Sequence, residues 1–279
     1  LMQAAGNTQL SGMVKLVRRI VSGTFLIEGC GAFLLALRFI PRMGFGQGLY
    51  YAVFHAISAF CNAGFDLMGA FGISSFIGYN TNWIVCITLM ALIFIGGIGF
   101  FVWGDLKEHK LHIRKYALHT KIVLITSLIL IIGPSILFLI LERHALFADM
   151  NTPQAILNAL FCAVTPRTAG FNTTDIASLS QSSQLLTIIL MFIGGCPGST
   201  AGGAKVTTIT VLILYLRSML TRTDGVNIFK RRLEDEAVSK AAAVFTTHML
   251  LAVAATFLIS MQQDLDLTVI VFDVVSAVS

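Results

Sequence analysis

The chain has 279 residues, 56% of them hydrophobic and 12% charged, with a net charge of +5. Soluble domains carry about twice that charged fraction, so a soluble protein is excluded and an integral membrane protein is expected. The basic residues gather on particular connections (Lys15 to Arg19, Lys107 to Lys121, Arg217 to Lys240), which excludes a nucleic-acid footprint and marks those connections as cytoplasmic. They read as solvated faces, with docking of a cytosolic partner left open.

Residues 1–12 form a polar lead-in, and the first residue is Leu1 rather than Met, so a fragment is expected. The first span is predicted from about Met13 to Leu37. Pro41, Gly44, Gly46 and Gly48 mark an outside loop. Leu49 to Phe60 is apolar but about a dozen residues long, or ~18 Å of helix. That is too short for a hydrocarbon layer of roughly 30 Å, so it reads as re-entrant. A turn from Cys61 to Phe65 follows. Trp83 to Val102 is the next span, with Trp83 and Trp103 as interfacial anchors.

The pattern repeats. Asp105 to Thr120 is a cytoplasmic connection, Lys121 to Leu141 a span with a kink expected at Pro134, and Glu142 to Thr152 an outside loop. Pro153 suits the first turn of a short helix ending near Val164, and the turn Thr165 to Asn172 comes next. Gln184 to Arg217 is a long apolar stretch broken in its middle. A third copy starts with a span from Ala237 to Met261. Val271 to Ala277 then matches Val53 to Ala59 at four of seven positions. The organisation read from this is a lead-in (1–12), one span–pore-loop–span unit (13–118), another (119–236) and the start of a further unit (237–279). The fold class is all-α integral membrane, with repeated units in a pseudo-fourfold arrangement around one ion pore.

Two turns carry the functional reading. Cys61-Asn62-Ala63-Gly64-Phe65 and Arg167-Thr168-Ala169-Gly170-Phe171 each follow a short helix and lie between spans. Non-helical backbone survives at membrane depth only where protein buries it or it lines a watery cavity. Carbonyls lining such a cavity replace the hydration shell of a cation. Glycine supplies the positive φ this requires, and the C-terminal ends of the short helices add partial negative charge. A buried turn with Gly chosen for packing is the plainer alternative for one copy; two copies weigh against it.

These residues carry a family resemblance. His55-Ala56-Ile57-Ser58-Ala59-Phe60 before Asn62-Ala63-Gly64-Phe65, the run Thr165-Pro166-Arg167-Thr168-Ala169-Gly170-Phe171-Asn172, and Phe94-Ile95-Gly96-Gly97-Ile98-Gly99-Phe100 resemble the membrane subunit of the Trk/Ktr/HKT potassium transporters, the bacterial Ktr type above all. The resemblance implies that the chain holds the second and third of four units and the start of the fourth. It implies potassium-binding filter residues at Cys61, Asn62, Ala63, Gly64, Arg167, Thr168, Ala169 and Gly170. It also implies a bacterial plasma-membrane location, a homodimer of membrane subunits, and a cytosolic ring of nucleotide-binding regulatory subunits. Potassium is the cargo and no cofactor is expected; sodium dependence occurs in Ktr-type systems.

Residues 194 to 205 hold five Gly and one Pro, which is incompatible with continuous helix. A gate is expected there, at Gly194, Gly195, Pro197, Gly198, Ser199, Gly202, Gly203 and Lys205; the resemblance supports it, and a static helix break is the alternative. Lys205 is a charge at membrane depth, or one that snorkels to the cytoplasm. Glu28 lies deep in the first span and is expected to brace the pore helix, with His55 one candidate partner. Arg167 is expected to brace its turn or set the field at the outer mouth. The cysteines, and His109, His112 and His119, lack metal-ligand spacing. No nucleophile–base constellation or phosphate loop is present, so an enzyme is not expected. A secondary transporter with discontinuous helices is the competing class, but it predicts inverted repeats.

Overall fold

The computed structural model describes residues 10–71, 74–110, 112–222, 227–228 and 231–279. Most of the expected lead-in, and Lys230, lie outside the described residues. The elements are helices α1 (Leu10–Met43), α2 (Phe45–Phe60), α3 (Trp83–Gly97), α4 (Phe100–His109), α5 (Leu118–Leu141), α6 (Thr152–Val164), α7 (Gln181–Ile193), α8 (Val206–Leu220), α9 (Asp235–Ser260) and α10 (Leu267–Val278). Strand pairing among the described residues is confined to a two-residue ribbon, β1 (Asn227–Ile228) antiparallel to β2 (Arg231–Arg232). Three helices, α1, α5 and α9, are long and apolar enough to cross a membrane, or four spans if the bent pair α3–α4 counts as one.

The short helices form where the spacing puts them. Helix α6 begins at a capping box: the Asn151 side chain accepts from the Gln154 amide while Gln154 returns to the Asn151 amide, with Pro153 in the first turn. Helix α2 starts earlier than expected. No outside loop separates it from α1, which runs through Pro41 to Met43. Gly44, at φ +82°, makes the corner alone, and its amide closes onto the Ile40 carbonyl at 2.9 Å. Gly48 then lets the two helices touch: a β-carbon there would sit 2.6 Å from the backbone of Ile40. Of the glycines read as loop markers, Gly44 makes the corner and Gly48 serves helix contact.

The expected span from Trp83 to Val102 is also broken. Helices α3 and α4 meet at 95°, across Ile98 and a Gly99 at φ +95°. The reason lies in the carbonyls that end α3. Ile95 O accepts from the Trp103 indole at 3.0 Å, Gly96 O from Thr200 N at 3.3 Å, and Gly97 O from Cys196 N at 3.0 Å. The Phe100 amide, which would continue the helix onto Gly96 O, instead donates to Gly198 O at 2.9 Å, so the ladder stops. Trp103 is therefore no interfacial anchor; it packs on Phe60 and Phe100 inside the fold. The first part of the expected Asp105 to Thr120 connection is likewise helical, through His109.

The largest core joins α1, α2, α3 and α6, and includes the fully buried Phe39, Phe60, Phe76, Leu89, Leu157 and Phe171. Polar ties lock the outer loops of the two units. Asn158 on α6 donates to Asn80 O at 3.0 Å, and Phe76 N to Asn172 O at 2.8 Å. At the outer end of α5, buried Glu142 accepts from the amide (3.0 Å) and hydroxyl (2.6 Å) of Ser180, which caps α7.

Two outcomes follow. Gly48→Ala pries α1 from α2 and should cost about 1–3 kcal/mol, read as a lowered unfolding midpoint in detergent. Burial pushes the Glu142 carboxyl up, but the Ser180 and Ser183 bonds outweigh it and hold the group below the usual carboxylate value. With the folded pKa depressed, its contribution is present above the unfolded pKa and lost as pH falls through the folded one. Acidification below about pH 4 should therefore lower the midpoint of the parent protein more steeply than that of Glu142→Gln.

Candidate functional site

The two turns read from sequence adopt one conformation. Asn62 and Gly64 stand at φ +51° and +72°, with Ala63 between them; Thr168 and Gly170 stand at +65° and +82°, with Ala169 between them. Left-handed backbone at a non-glycine residue costs of order 1–3 kcal/mol and persists only where surrounding contacts over-determine it. For Thr, branched at Cβ, the strain is greatest. The contacts are present. Asn62 Nδ2 donates to Arg167 O at 3.2 Å, bridging one turn to the other. Thr168 Oγ1 accepts from Gly202 N at 3.1 Å. Ser58 donates to Phe65 O at 2.8 Å, and Thr165 donates to Phe171 O, so a helix hydroxyl anchors each turn just past its glycine.

The turns adjoin. A β-carbon on Gly64 would lie 2.4 Å from Ala169 O and 3.1 Å from the Gly170 Cα. Both border one cavity of about 480 Å³, whose lining includes Asn62, Ala63, Thr168, Ala169, Gly170 and Gly202. The third copy reaches the same cavity: Phe272, Ser276 and Ser279 of the α10 segment complete its wall. Of the expected filter residues, Cys61, which is exposed, Gly64 and Arg167 are not among those lining this cavity. Ser276 matches Ser58 in the repeat, so that part of the lining was legible in the internal alignment, although it was not singled out.

The Gly-rich break borders the cavity at Gly202. Helix α7 stops at Gly194 (φ +68°) and α8 begins after Lys205 (φ +78°). The intervening loop folds on itself through Gly195 N to Gly202 O at 3.1 Å and Val206 N to Gly195 O at 2.8 Å. It is tied to the second unit through Thr200 Oγ1 to Phe60 O at 2.9 Å and Phe100 N to Gly198 O at 2.9 Å. Ser199 accepts from Ala201 N and donates to Cys196 O at 2.6 Å. A β-carbon at Gly202 would strike Ser279 O, so the loop also abuts the end of α10. Gly203 passes against Gly194, and Pro197 O lies over Gly99. Lys205 does not snorkel. Its ammonium turns back onto Ala201 O at 2.5 Å and Gly202 O at 3.3 Å.

Glu28 and His55 do not pair as expected, whereas Arg167 takes one of the two roles expected of it. Glu28 is buried but forms no hydrogen bond and does not meet His55. His55 is held within its own unit, donating from Nδ1 to Tyr51 O at 2.7 Å and accepting Leu67 N–H at Nε2, 3.1 Å away. This pattern fixes one neutral tautomer inside a cage of Phe39, Phe54 and Phe76. A ring with both nitrogens committed to its own backbone has nothing left for Glu28. Arg167 is only 4% exposed, so it does not set the outer-mouth field. Its guanidinium runs inward to Ser127 Oγ at 3.1 Å and Cys196 Sγ at 3.9 Å, beside the Phe94 ring. It therefore braces the turn against α5 and the loop. Ser127 and Thr200 are site residues that no local pattern revealed, because each works across more than 39 positions of sequence.

Comparison with known proteins gives a consistent picture. The chain is 37% identical to a potassium/sodium uptake protein, NtpJ, of Enterococcus hirae, covering 99% of this chain and 61% of that protein. It is 34% identical to the Ktr system potassium uptake protein B of Vibrio alginolyticus, over 99% of this chain and 60% of the relative. The chain thus spans about three fifths of the length of these curated relatives. The crystal structure of the potassium transporter TrkH from Vibrio parahaemolyticus shares its fold, with a TM-score of 0.65 at 21% identity over 86% of this chain and 51% of that one. The protein-family profile described as "TrkH: Cation transport protein" matches residues 4–279. With its long apolar helices, the protein is a multi-pass membrane protein. Left-handed turns that meet at one cavity, a broken helix beneath them, and a match along nearly its whole length make this chain a member of the TrkH cation transport family.

Proposed function

We propose that the chain forms part of a potassium uptake pathway across the bacterial plasma membrane. Main-chain carbonyls of Cys61 to Gly64 and Arg167 to Gly170 replace the water around the ion, and the loop from Gly194 to Lys205 gates the path on the inner side. The carrying observation is the shared positive-φ pattern of the two turns, Asn62/Gly64 and Thr168/Gly170, with Asn62, Ala63, Thr168, Ala169 and Gly170 lining one cavity and Gly64 packed against Ala169 and Gly170. Residues 13–118 and 119–236 act as the second and third of four pseudo-fourfold units and 237–279 as the start of the fourth, the α10 segment being its pore helix. Relatives named for potassium, and for potassium and sodium, support the cargo. The name "Ktr system" supports assembly with other components, read here as a homodimer seated on a cytosolic nucleotide-binding ring that meets the basic connections. Sodium is a candidate coupling ion.

The gate reading draws on the loop's contacts. Gly202 touches the turn at Thr168 and the end of α10, and Lys205 holds the loop's carbonyls from within. Withdrawing the loop requires breaking these hydrogen bonds, each contributing about 0.5–1.5 kcal/mol, and lifting Cys196 from the small core it shares with Ile98, Val102 and Val123.

Rubidium uptake into potassium-starved cells tests the filter. Gly64→Ser places a side chain against Ala169 O and should lower uptake about tenfold, equivalent to roughly 1.4 kcal/mol of barrier, while relaxing discrimination against sodium. Normal uptake and selectivity in that variant, with normal expression, would remove Gly64 from the pathway. Shortening the loop within Gly195 to Ala204 should raise flux and leave selectivity unchanged. Unaltered or abolished flux in a correctly inserted variant would count against a gate.

A further inference from the structure

A second cavity lies away from the turns. It occupies about 510 Å³ between the N-terminal part of α1 and helix α4, within the size range of small-ligand sites. Its lining is divided. Ile20, Phe100 and Trp103 form an apolar wall, whereas Arg19 and Lys107 sit at the rim with a single carboxylate, Glu108. Neither Arg19 nor Lys107 has an ion-pair partner among the described residues. Lys15 and Arg18, within a turn of Arg19, add to the positive field. On the flank of α1 beside the cavity, Val17, Val21 and Phe25 are exposed at 56%, 47% and 71%, a stripe that faces the acyl region in a spanning helix.

We infer that this cavity binds an anionic phospholipid of the cytoplasmic leaflet, its phosphate between Arg19 and Lys107 and its glycerol end against Phe100 and Trp103. The charge bias puts this end of α1 on the cytoplasmic side, where anionic lipids concentrate and basic pockets between helices receive their headgroups. A soluble anion leaves the apolar wall unused, and a neutral lipid leaves two cations unpaired at the rim. The indole nitrogen of Trp103 is already committed to Ile95 O, so the ring offers the ligand an apolar face.

The wall belongs to the same framework as the ion path. Trp103 stacks against Phe60, the last residue of α2, at 5.6 Å, and Phe100 N holds Gly198 O at 2.9 Å. A bound lipid therefore supports the hinge on which the loop rests. That consequence depends on the gate reading; the site does not.

Trp83 and Trp103 are the two tryptophans of this sequence, so Trp83→Phe, with any tryptophan of the reconstituted protein outside these residues also replaced by Phe, isolates a reporter in the cavity wall. The reconstituted protein is placed in phosphatidylcholine vesicles containing brominated phosphatidylglycerol or brominated phosphatidylcholine, and quenching of Trp103 is followed. The expected result is an enrichment of about tenfold for the anionic lipid, lost in Arg19→Gln/Lys107→Gln and kept in Arg19→Lys. Equal quenching by both lipids, or a preference that survives the double substitution, overturns the site. Rubidium flux in vesicles with and without phosphatidylglycerol tests the coupling separately. A flux change that vanishes in Arg19→Gln/Lys107→Gln supports it; identical flux with quenching intact rejects it and leaves the filter and gate to their own tests.

Discussion

Backbone polar groups inside a bilayer must find protein partners, and this chain places an unusual length of irregular backbone where that rule is strict. Two turns, a bend and a long Gly-rich loop all lie at the depth of the apolar helices. Each answers the need by using another as its partner. The loop satisfies the end of α3, the third-unit turn satisfies the loop, and the second-unit turn reaches the third through Asn62. The turns, the bend and the loop are thus one connected set of hydrogen bonds rather than separate motifs on a scaffold.

Close approach makes this set possible. The two turns meet Gly64 against Gly170, and the loop closes Gly194 against Gly203, at separations that leave no room for a β-carbon. Glycine also admits the left-handed conformation at Gly64 and Gly170. Asn62 and Thr168 share that conformation without the same freedom, and their side chains hold the bonds that compensate. Strain of this kind is retained where function needs a fixed geometry. Here the fixed geometry is that of two turns packed against each other beside a cavity.

Buried charge is handled by the same means. Arg167 and Lys205 lack carboxylate partners among the described residues, and both turn to neutral acceptors: a hydroxyl and a thiol for Arg167, carbonyls for Lys205. Both therefore act on the loop, from opposite ends.

The class, the internal repetition, the short helices and the identity of the two turns were legible in the sequence, because each depends on local spacing: apolar run length against bilayer thickness, and Gly at one offset after each short helix. The bend at Ile98–Gly99 was not legible, since the hydrogen bonds that replace the helical ladder there come from Cys196, Gly198 and Thr200, about a hundred residues further on. The role of Gly48 was hidden likewise, as a loop signal and a helix-contact signal use the same residue. Arg167 shows the limit most directly. Its place beside a filter turn was plain, but the direction of its side chain was settled by Ser127 and Cys196, which reach it only when the chain is folded. Local chemistry decided which segments could bend; packing between distant segments decided which did, because a freed backbone group in lipid is tolerable only once its partner has arrived.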